Sequence, residues 1–241
     1  VYQLTTGHTW TLSPTMIMDG TFGFSRQDQE VLGSDFQAGN YGLETLRIPG
    51  TNDPVSRDPR YAGFPEFRAG FTPNWGNRDG WNPIFRDERT YSLGTNLTKL
   101  AGAHEFRGGY LVNFLYLDHW QPESDNPRGR FDFTTRSVTA LNAPGAQANN
   151  FYNQFASFLL GLPGTVSKSI QNELMTGREW QHGLFFRDRW TVGPKLTLDL
   201  GIRWEYYPIM SRADRGMERV DLDTLVVILG GGGGNPDNVG L

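Results

Sequence analysis

The chain has 241 residues, no cysteine, and a formal net charge of −4 from 22 basic and 26 acidic side chains. The lack of cysteine excludes disulfide scaffolds, thiolate metal sites and cysteine nucleophiles. The lack of a basic surplus argues against nucleic acid as a partner, because that binding is driven by phosphate neutralisation. Glycine (30), proline (14) and an aromatic share of 13% fit sheet broken by turns. Thr5 to Leu12 predicts a first strand that turns at Ser13-Pro14-Thr15. Met16 to Arg26 returns, with Met18, Phe22 and Phe24 on one face. Residues 27–89 then read as a long polar loop ("GTNDPVSRDPRYAGFPEF", "TPNWGNRDGWNP"). A second hairpin runs from Thr90 to Leu100, turns at Ala101-Gly102-Ala103, and continues from His104 to Trp120, with Phe106, Tyr110, Val112, Phe114 and Tyr116 on one face.

Residues 121–150 form another polar stretch, holding a short predicted strand at Arg130 to Thr134. In "NNFYNQFASFLLGLPGTVSKS", residues 150–169, Phe151, Phe155, Phe158, Leu159 and Leu162 have helical spacing, and Pro163-Gly164 ends the run. This predicts a short helix in or beside a loop, with its apolar side on a barrel rim or lumen. The third hairpin is the most regular. Arg178 to Val192 turns at Gly193-Pro194-Lys195 into Leu196 to Tyr207, where Leu196, Leu198, Leu200, Ile202, Trp204 and Tyr206 alternate with Thr197, Asp199, Gly201, Arg203, Glu205 and Tyr207. Residues 211–241 read as a glycine-rich loop.

Alternation alone fits any half-buried antiparallel sheet. Three features favour lipid as the partner of the apolar face. Every tight turn is followed by a long loop and every long loop by a tight turn, as in barrels with short periplasmic turns and long extracellular loops. The strands also exceed the ~5–6 residues usual in soluble sheets and suit the ~9–11 of a tilted membrane strand. Trp120, Trp180, Trp190, Trp204, Tyr206 and Tyr207 gather near strand ends, where amphipathic rings suit a water–lipid boundary. No run of ~18 apolar residues exists for a spanning helix. The mean hydropathy of −0.49 does not count against a barrel, whose strands face lipid at alternate positions only. "VYQLTTGHTW" has no secretory leader pattern, and the expectation is a fragment of a longer protein.

Few groups suggest chemistry. His8, His104, His119 and His182 lack metal-pair spacing and read as surface or rim residues. Asp53 and Asp58, Asp118, Glu123 and Asp125, and Asp221 and Asp223 lie in or beside loops without a complete calcium-loop pattern, and read as solvated charge. Gly230 to Gly234 lacks the Lys-Ser/Thr ending of a phosphate cradle, no Gly-x-Ser-x-Gly elbow occurs, and the "NLT" at Asn96 lies mid-strand. No cofactor and no enzymatic activity are expected. Two sets of site candidates remain. Tyr61, Phe64, Trp75 and Trp81 belong to a ring-rich loop that either stacks on sugars or packs into an ordered cap. Arg187, Arg189, Asp199, Arg203 and Glu205, with Glu179 and Gln181, form the polar face of the third hairpin and are expected to face a lumen as a charge ladder.

"FFRDRWTVGPKLTLDLGIRWEYY" resembles a hairpin of TonB-dependent outer-membrane receptors, in which an aromatic, an acid and a Trp close one strand and a Pro turn leads to a Leu-Thr-Leu strand ending in Arg-aromatic-Glu. "FASFLLGLPG" after "GRFDF", and "VVILGGGGGNPDNVGL", resemble the Oar-like branch. The resemblance implies a barrel of about 22 strands filled by a plug. This chain would supply about six of them in three hairpins, as one partial barrel domain over 1–241, with plug and remaining barrel absent. Implied partners are outer-membrane lipid, the plug and remaining barrel of the same protein, and the TonB complex. The expected fold is thus all-β, a curved antiparallel part of a transmembrane barrel with one short loop helix. The implied function is energised uptake of a large or scarce nutrient. The alternatives are an adhesion or structural barrel, and a soluble β-rich carbohydrate-binding module. Leu200→Arg is expected to cost ~2–4 kcal/mol as a midplane change.

Overall fold

The computed structural model of the protein describes residues 1–122, 126–134, 150–171, 173–214 and 216–230. The strands are β1 (Tyr2–Ser13), β2 (Met16–Val31), β3 (Glu66–Arg68), β4 (Ile84–Ala101), β5 (His104–Trp120), β6 (Arg130–Asp132), β7 (Thr165–Ser167), β8 (Met175–Gly193), β9 (Leu196–Tyr206), β10 (Gly216–Asp221) and β11 (Val226–Gly230). The helices are α1 (Tyr41–Glu44) and α2 (Phe151–Leu159), with 3₁₀ turns at Phe36–Ala38 and Pro59–Tyr61. No helix among the described residues is long and apolar enough to cross a membrane.

Six long strands form one sheet in the order β1-β2-β4-β5-β8-β9. The three expected hairpins are present, and their tight turns fall at Pro14-Thr15, Gly102-Ala103 and Pro194-Lys195. Gly102 has φ +62°, a left-handed conformation that glycine adopts without a Cβ penalty. Because strand direction alternates, the turns share one end of the sheet and the connections 32–83 and 121–174 leave from the other. The chain divides accordingly into two compact units. One holds 1–28, 86–119 and 175–241, and the other holds 29–85 and 120–174.

In the sheet unit, pairing sets the two faces. Trp180 is opposite Phe114, His182 opposite Val112 and Tyr206, Leu184 opposite Tyr110 and Trp204, and Phe186 opposite Ile202. Ring contacts carry the same face across the earlier strands: Phe24–Tyr91 at 5.0 Å, Tyr91–Phe114 at 6.2 Å and Phe114–Trp180 at 4.5 Å. Leu4 and Trp10 of β1 join it opposite Phe24 and Met18. Most of these side chains are exposed in the isolated sheet. A second aromatic row, His104 stacked on Trp190 at 5.3 Å, lies near the tight turns.

Trp180 and Trp190 are ten positions apart on this face of β8. At ~3.3 Å per residue they stand ~33 Å apart along the strand, and a tilt of ~40° reduces this to ~25 Å, the height of the apolar band of an outer-membrane barrel. Two polar contacts lie on this face. Tyr110 Oη and His182 Nδ1 are 2.7 Å apart, and His104 Nδ1 is 2.8 Å from Asp188 Oδ2. The alternation of β8 is thus imperfect, since Asp188 shares the face of Phe186 and Trp190.

The expected loop 211–241 is corrected in part. Residues 216–221 and 226–230 pair as a small antiparallel hairpin, β10–β11. Val226, Val227 and Ile228 supply the β-branched residues that favour it. Gly231 to Gly234 lie outside the described residues, as do Glu123 and Asp125.

The unit of connections has its own core. β3 pairs in parallel with β6, and β6 pairs antiparallel with β7. The predicted strand at 130–134 is therefore real but belongs to this small sheet. Helix α2 begins at Asn150, whose side chain accepts a bond from the Asn153 amide. It ends before Gly161, whose φ of +67° stops it two residues earlier than Pro163. Its rings pack on Phe71, Trp75 and Phe133, all within the connections. A Cβ on Gly76 would collide with the carbonyl oxygen of Pro65, so this turn can bring Trp75 back to pair with Phe67 only with glycine there.

Candidate functional site

Two surfaces can bear function. The first is the face of the sheet opposite the aromatic rows. Register places Arg187 opposite Gly201, Arg189 opposite Asp199, Phe185 opposite Arg203 and Gly183 opposite Glu205. The five charged residues singled out in the sequence therefore share one face, as alternation requires. Arg187 forms a two-pronged pair with Asp199, its Nε 2.6 Å from Oδ1. Arg203 Nε donates to Glu205 Oε1 at 2.6 Å, and Gln181 Nε2 to Glu179 Oε1 at 2.9 Å. Arg189 sits between Asp199 and Glu105 in register, and Arg107 lies opposite Arg187. Further along the sheet, Asn96 Nδ2 donates to Asp19 Oδ2 at 2.7 Å. A ladder of paired charges suits a wet interior and offers donors and acceptors to whatever fills it.

The second surface belongs to the connections. Asn52, fully buried, is its hub. The Asn52 amide donates to the Arg128 carbonyl, its Nδ2 to the carbonyls of Tyr61 and Gly63, and its Oδ1 accepts from the Leu43 amide. Arg128, also fully buried, donates from Nε to Asn126 Oδ1 at 2.9 Å, and from Nη2 to Asn82 Oδ1 at 3.0 Å and to the Asp79 carbonyl at 3.2 Å. Burial lowers its pKa to about 10, so it remains a cation at neutral pH. Sequence pattern alone had no means of finding this hub, because buried Asn and Arg in a polar stretch look like solvated loop residues.

The candidate aromatics divide. Tyr61 is only 5% exposed. Its ring meets Trp120 edge-on at 5.6 Å, its hydroxyl accepts from the Gln171 amide at 2.9 Å, and burial raises its pKa. Phe64 packs edge-on against Tyr41 at 4.6 Å. Trp75 packs on Phe71 and Phe158 but keeps an exposed side, and Trp81 is 46% exposed. Packing into an ordered body therefore accounts for Tyr61 and Phe64, while Trp75 and Trp81 still present ring surface.

Tyr61 also floors a cleft of about 560 Å³ lined by Asp53, Val55, Asp58, Lys168 and Ile170. Lys168 Nζ lies 5.5 Å from the Tyr61 ring and donates to the carbonyls of Gly50 and Asn52, and burial lowers its pKa. Asp53 accepts from the Ser56 hydroxyl and from the amides of Val55, Ser56 and Asp58. The ionised groups of this cleft are thus engaged by its own backbone. These bonds, with those of Arg60 to Asp58, hold the walls of the cleft in place. Among the described residues, no cluster of His, Asp or Glu is arranged to hold a metal ion.

The Ser56 hydroxyl, with those three amides, draws the Asp53 pKa from 3.8 to about 2. A carboxyl depressed in the folded state contributes stability that is present above its unfolded pKa and lost as pH falls through its folded one. The turn 53–58 is expected to lose roughly 1–2 kcal/mol between about pH 4 and pH 2, after discounting for solvent screening. Amide exchange of Val55, Ser56 and Asp58 measures this, and Asp53→Asn should remove the pH dependence.

A long-stranded antiparallel sheet, apolar between two aromatic rows on one face and charged on the other, with tight turns at one end and long connections at the other, has the construction of an outer-membrane barrel wall. The sequence matches the family described as outer membrane beta barrel domain over residues 1–240, and the chain belongs to that family. Its place is the cell outer membrane. No curated protein and no solved structure matches the chain.

Proposed function

We propose that this barrel wall is part of a TonB-dependent transporter of the Oar-like type, that it takes up a large or scarce nutrient using energy delivered from the inner membrane, and that it is not an enzyme. The observation that carries the reading is the ordered body built from the two long connections, with its own sheet, aromatic core and cleft. A body of that kind suits capture of a ligand outside the membrane, with Trp75 and Trp81 offering ring surface and Tyr61 and Phe64 shaping the frame. The hairpin resemblance at residues 184–207 supports the same reading. Six strands are fewer than the ~8 of the smallest outer-membrane barrels. Among the described residues β1 and β9 each have a sheet neighbour on one side only. Open backbone edges are costly in hydrocarbon, so the working barrel takes further strands. On this reading a plug meets Arg187, Arg189, Asp199, Arg203 and Glu205 in the lumen, and the TonB complex acts through that plug.

The test uses the whole protein in the outer membrane of its own cells. Labelled glycans, peptides and metal chelates are supplied with and without a protonophore. Transport predicts accumulation that the protonophore and loss of TonB both abolish, while surface binding persists. An adhesion or structural barrel, the other reading, predicts surface binding at most, with no energy-dependent accumulation of any probe.

A further inference from the structure

The outward face carries charges above its upper aromatic row, where a purely apolar band would carry none. Arg178 lies opposite Tyr116 in register, and its guanidinium carbon stands 3.4 Å from the centre of that ring. Arg89 approaches the same ring at 4.7 Å. Tyr116 Oη donates to Asp118 Oδ2 at 2.7 Å, and Arg178 Nη2 donates to Asp118 Oδ1 at 2.8 Å. Asp87 is shared by Arg89 and by Arg26, whose Nε and Nη2 donate at 3.0 and 2.9 Å, and Arg26 also lies 3.5 Å from Asp28. Four strands thus present one row of guanidinium groups and carboxylates. Its partners, Tyr116 and Asp118, lie beyond the Trp180–Phe114 row on the side of the long connections. Charges facing outward are tolerated at headgroup depth and costly in hydrocarbon, so this row marks the outer-leaflet headgroup level.

Directly below it runs a groove of about 580 Å³ lined by Phe22, Tyr91, Leu93, Val112, Phe114 and Trp180, with Arg89 and Tyr116 at its polar end. An apolar trough that opens beneath the Arg89 guanidinium, with Arg178 across the Tyr116 ring, has the form of one acyl chain of a lipid with an anionic head. We propose that this groove binds a phosphate-bearing lipid of the outer leaflet, its acyl chain along Leu93, Val112 and Phe114 and its phosphate on Arg89 and Arg178. A planar guanidinium matches two phosphate oxygens at once, which a zwitterionic choline head would share with its own ammonium. Asp87 and Asp118 orient the two arginines, the carbonyls of Leu117 and Gly177 hold Arg178 Nη1 at 2.8 Å, and both guanidinium groups lie against the Tyr116 ring. This inference rests on the lipid-facing reading of the aromatic face and is independent of transport.

The test reconstitutes the full-length protein in phosphatidylcholine nanodiscs doped with phosphatidic acid, with diacylglycerol of the same chains, or with lipid A, and counts retained lipid by native mass spectrometry. Phosphatidic acid and lipid A should be retained at least about tenfold over diacylglycerol, and Arg89→Gln with Arg178→Gln should erase that preference. Val112→Trp, which fills the groove, should lower retention whatever the head. Lys195→Gln, in the tight turn at the far end of the sheet, should change neither and serves as the folded control. Equal retention of phosphatidic acid and diacylglycerol, or selectivity that survives the double arginine change, overturns the proposal. A protein that stays monodisperse with neither detergent nor lipid overturns the lipid-facing reading itself.

Discussion

Ile202→Arg should destabilise the membrane-inserted protein by about 2–4 kcal/mol, the cost of a lipid-facing cation near the bilayer midplane. Ile202 is 73% exposed in the sheet and pairs with Phe186, which lies between the Trp180 and Trp190 rows. Its neighbour Arg203 points the other way and bonds Glu205. Arg203→Gln should therefore leave the urea midpoint for unfolding from lipid vesicles almost unmoved. The same register corrects an expectation for Leu200. It pairs with Asp188, one step from Trp190, so it sits near the lower aromatic row, not the midplane. An arginine there stands opposite an acid at shallower depth, and Leu200→Arg should cost clearly less than Ile202→Arg. If both arginine changes and the Arg203 change prove equally mild, the aromatic face does not meet hydrocarbon.

Arg128→Met should loosen the body of connections by about 2–4 kcal/mol while the long sheet keeps its protection. Methionine nearly matches the stem in length but supplies no donor. Asn82 Oδ1 and the Asp79 carbonyl would then lose a buried donor, while Asn126 Oδ1 would keep only the amide of residue 128, and a buried group left without a partner carries a penalty of ~1–3 kcal/mol. Hydrogen exchange should show amides in 35–82 and 126–134 opening while β4, β5 and β8 remain slow. Arg128→Lys should recover little, because one ammonium cannot span acceptors set around a planar fork. Uniform loss of protection across both units would show that Arg128 supports the whole chain instead.

The sheet was legible because its information is local. Alternation over 184–207 sets the faces of β8 and β9, and Pro14, Gly102 and Pro194 mark the turns. The charge ladder followed from the same period of two. The connections were not legible, because their order comes from partners far apart in the chain. Asn52 bonds Arg128, and Lys168 bonds Gly50. Nothing about "TNDPV" or "NPRGR" indicates that they meet, and both read as solvated loop. The ring-rich stretch gave the right residue type without its use, since only contacts separate a packed Tyr61 from an open Trp81. Asp188 stood in the hairpin resemblance as the acid between an aromatic and a Trp, but only the neighbouring strand reveals its partner His104.

The way the two connections are stitched together also fixes an order of events in biogenesis. They flank the β4–β5 hairpin, so a contact such as Lys168 with Gly50 closes a separation of 118 residues. The entropy of closing so wide a loop is met cheaply only after the intervening hairpins have formed and brought its ends near. The expected order is therefore turns, then strands, then the body of connections. Pulse proteolysis during refolding should accordingly cut both segments after the sheet has become protected. After the stitches close, a single cut in either segment should leave the two pieces joined by strand pairing in the sheet and by the bonds of Asn52, Arg128 and Lys168.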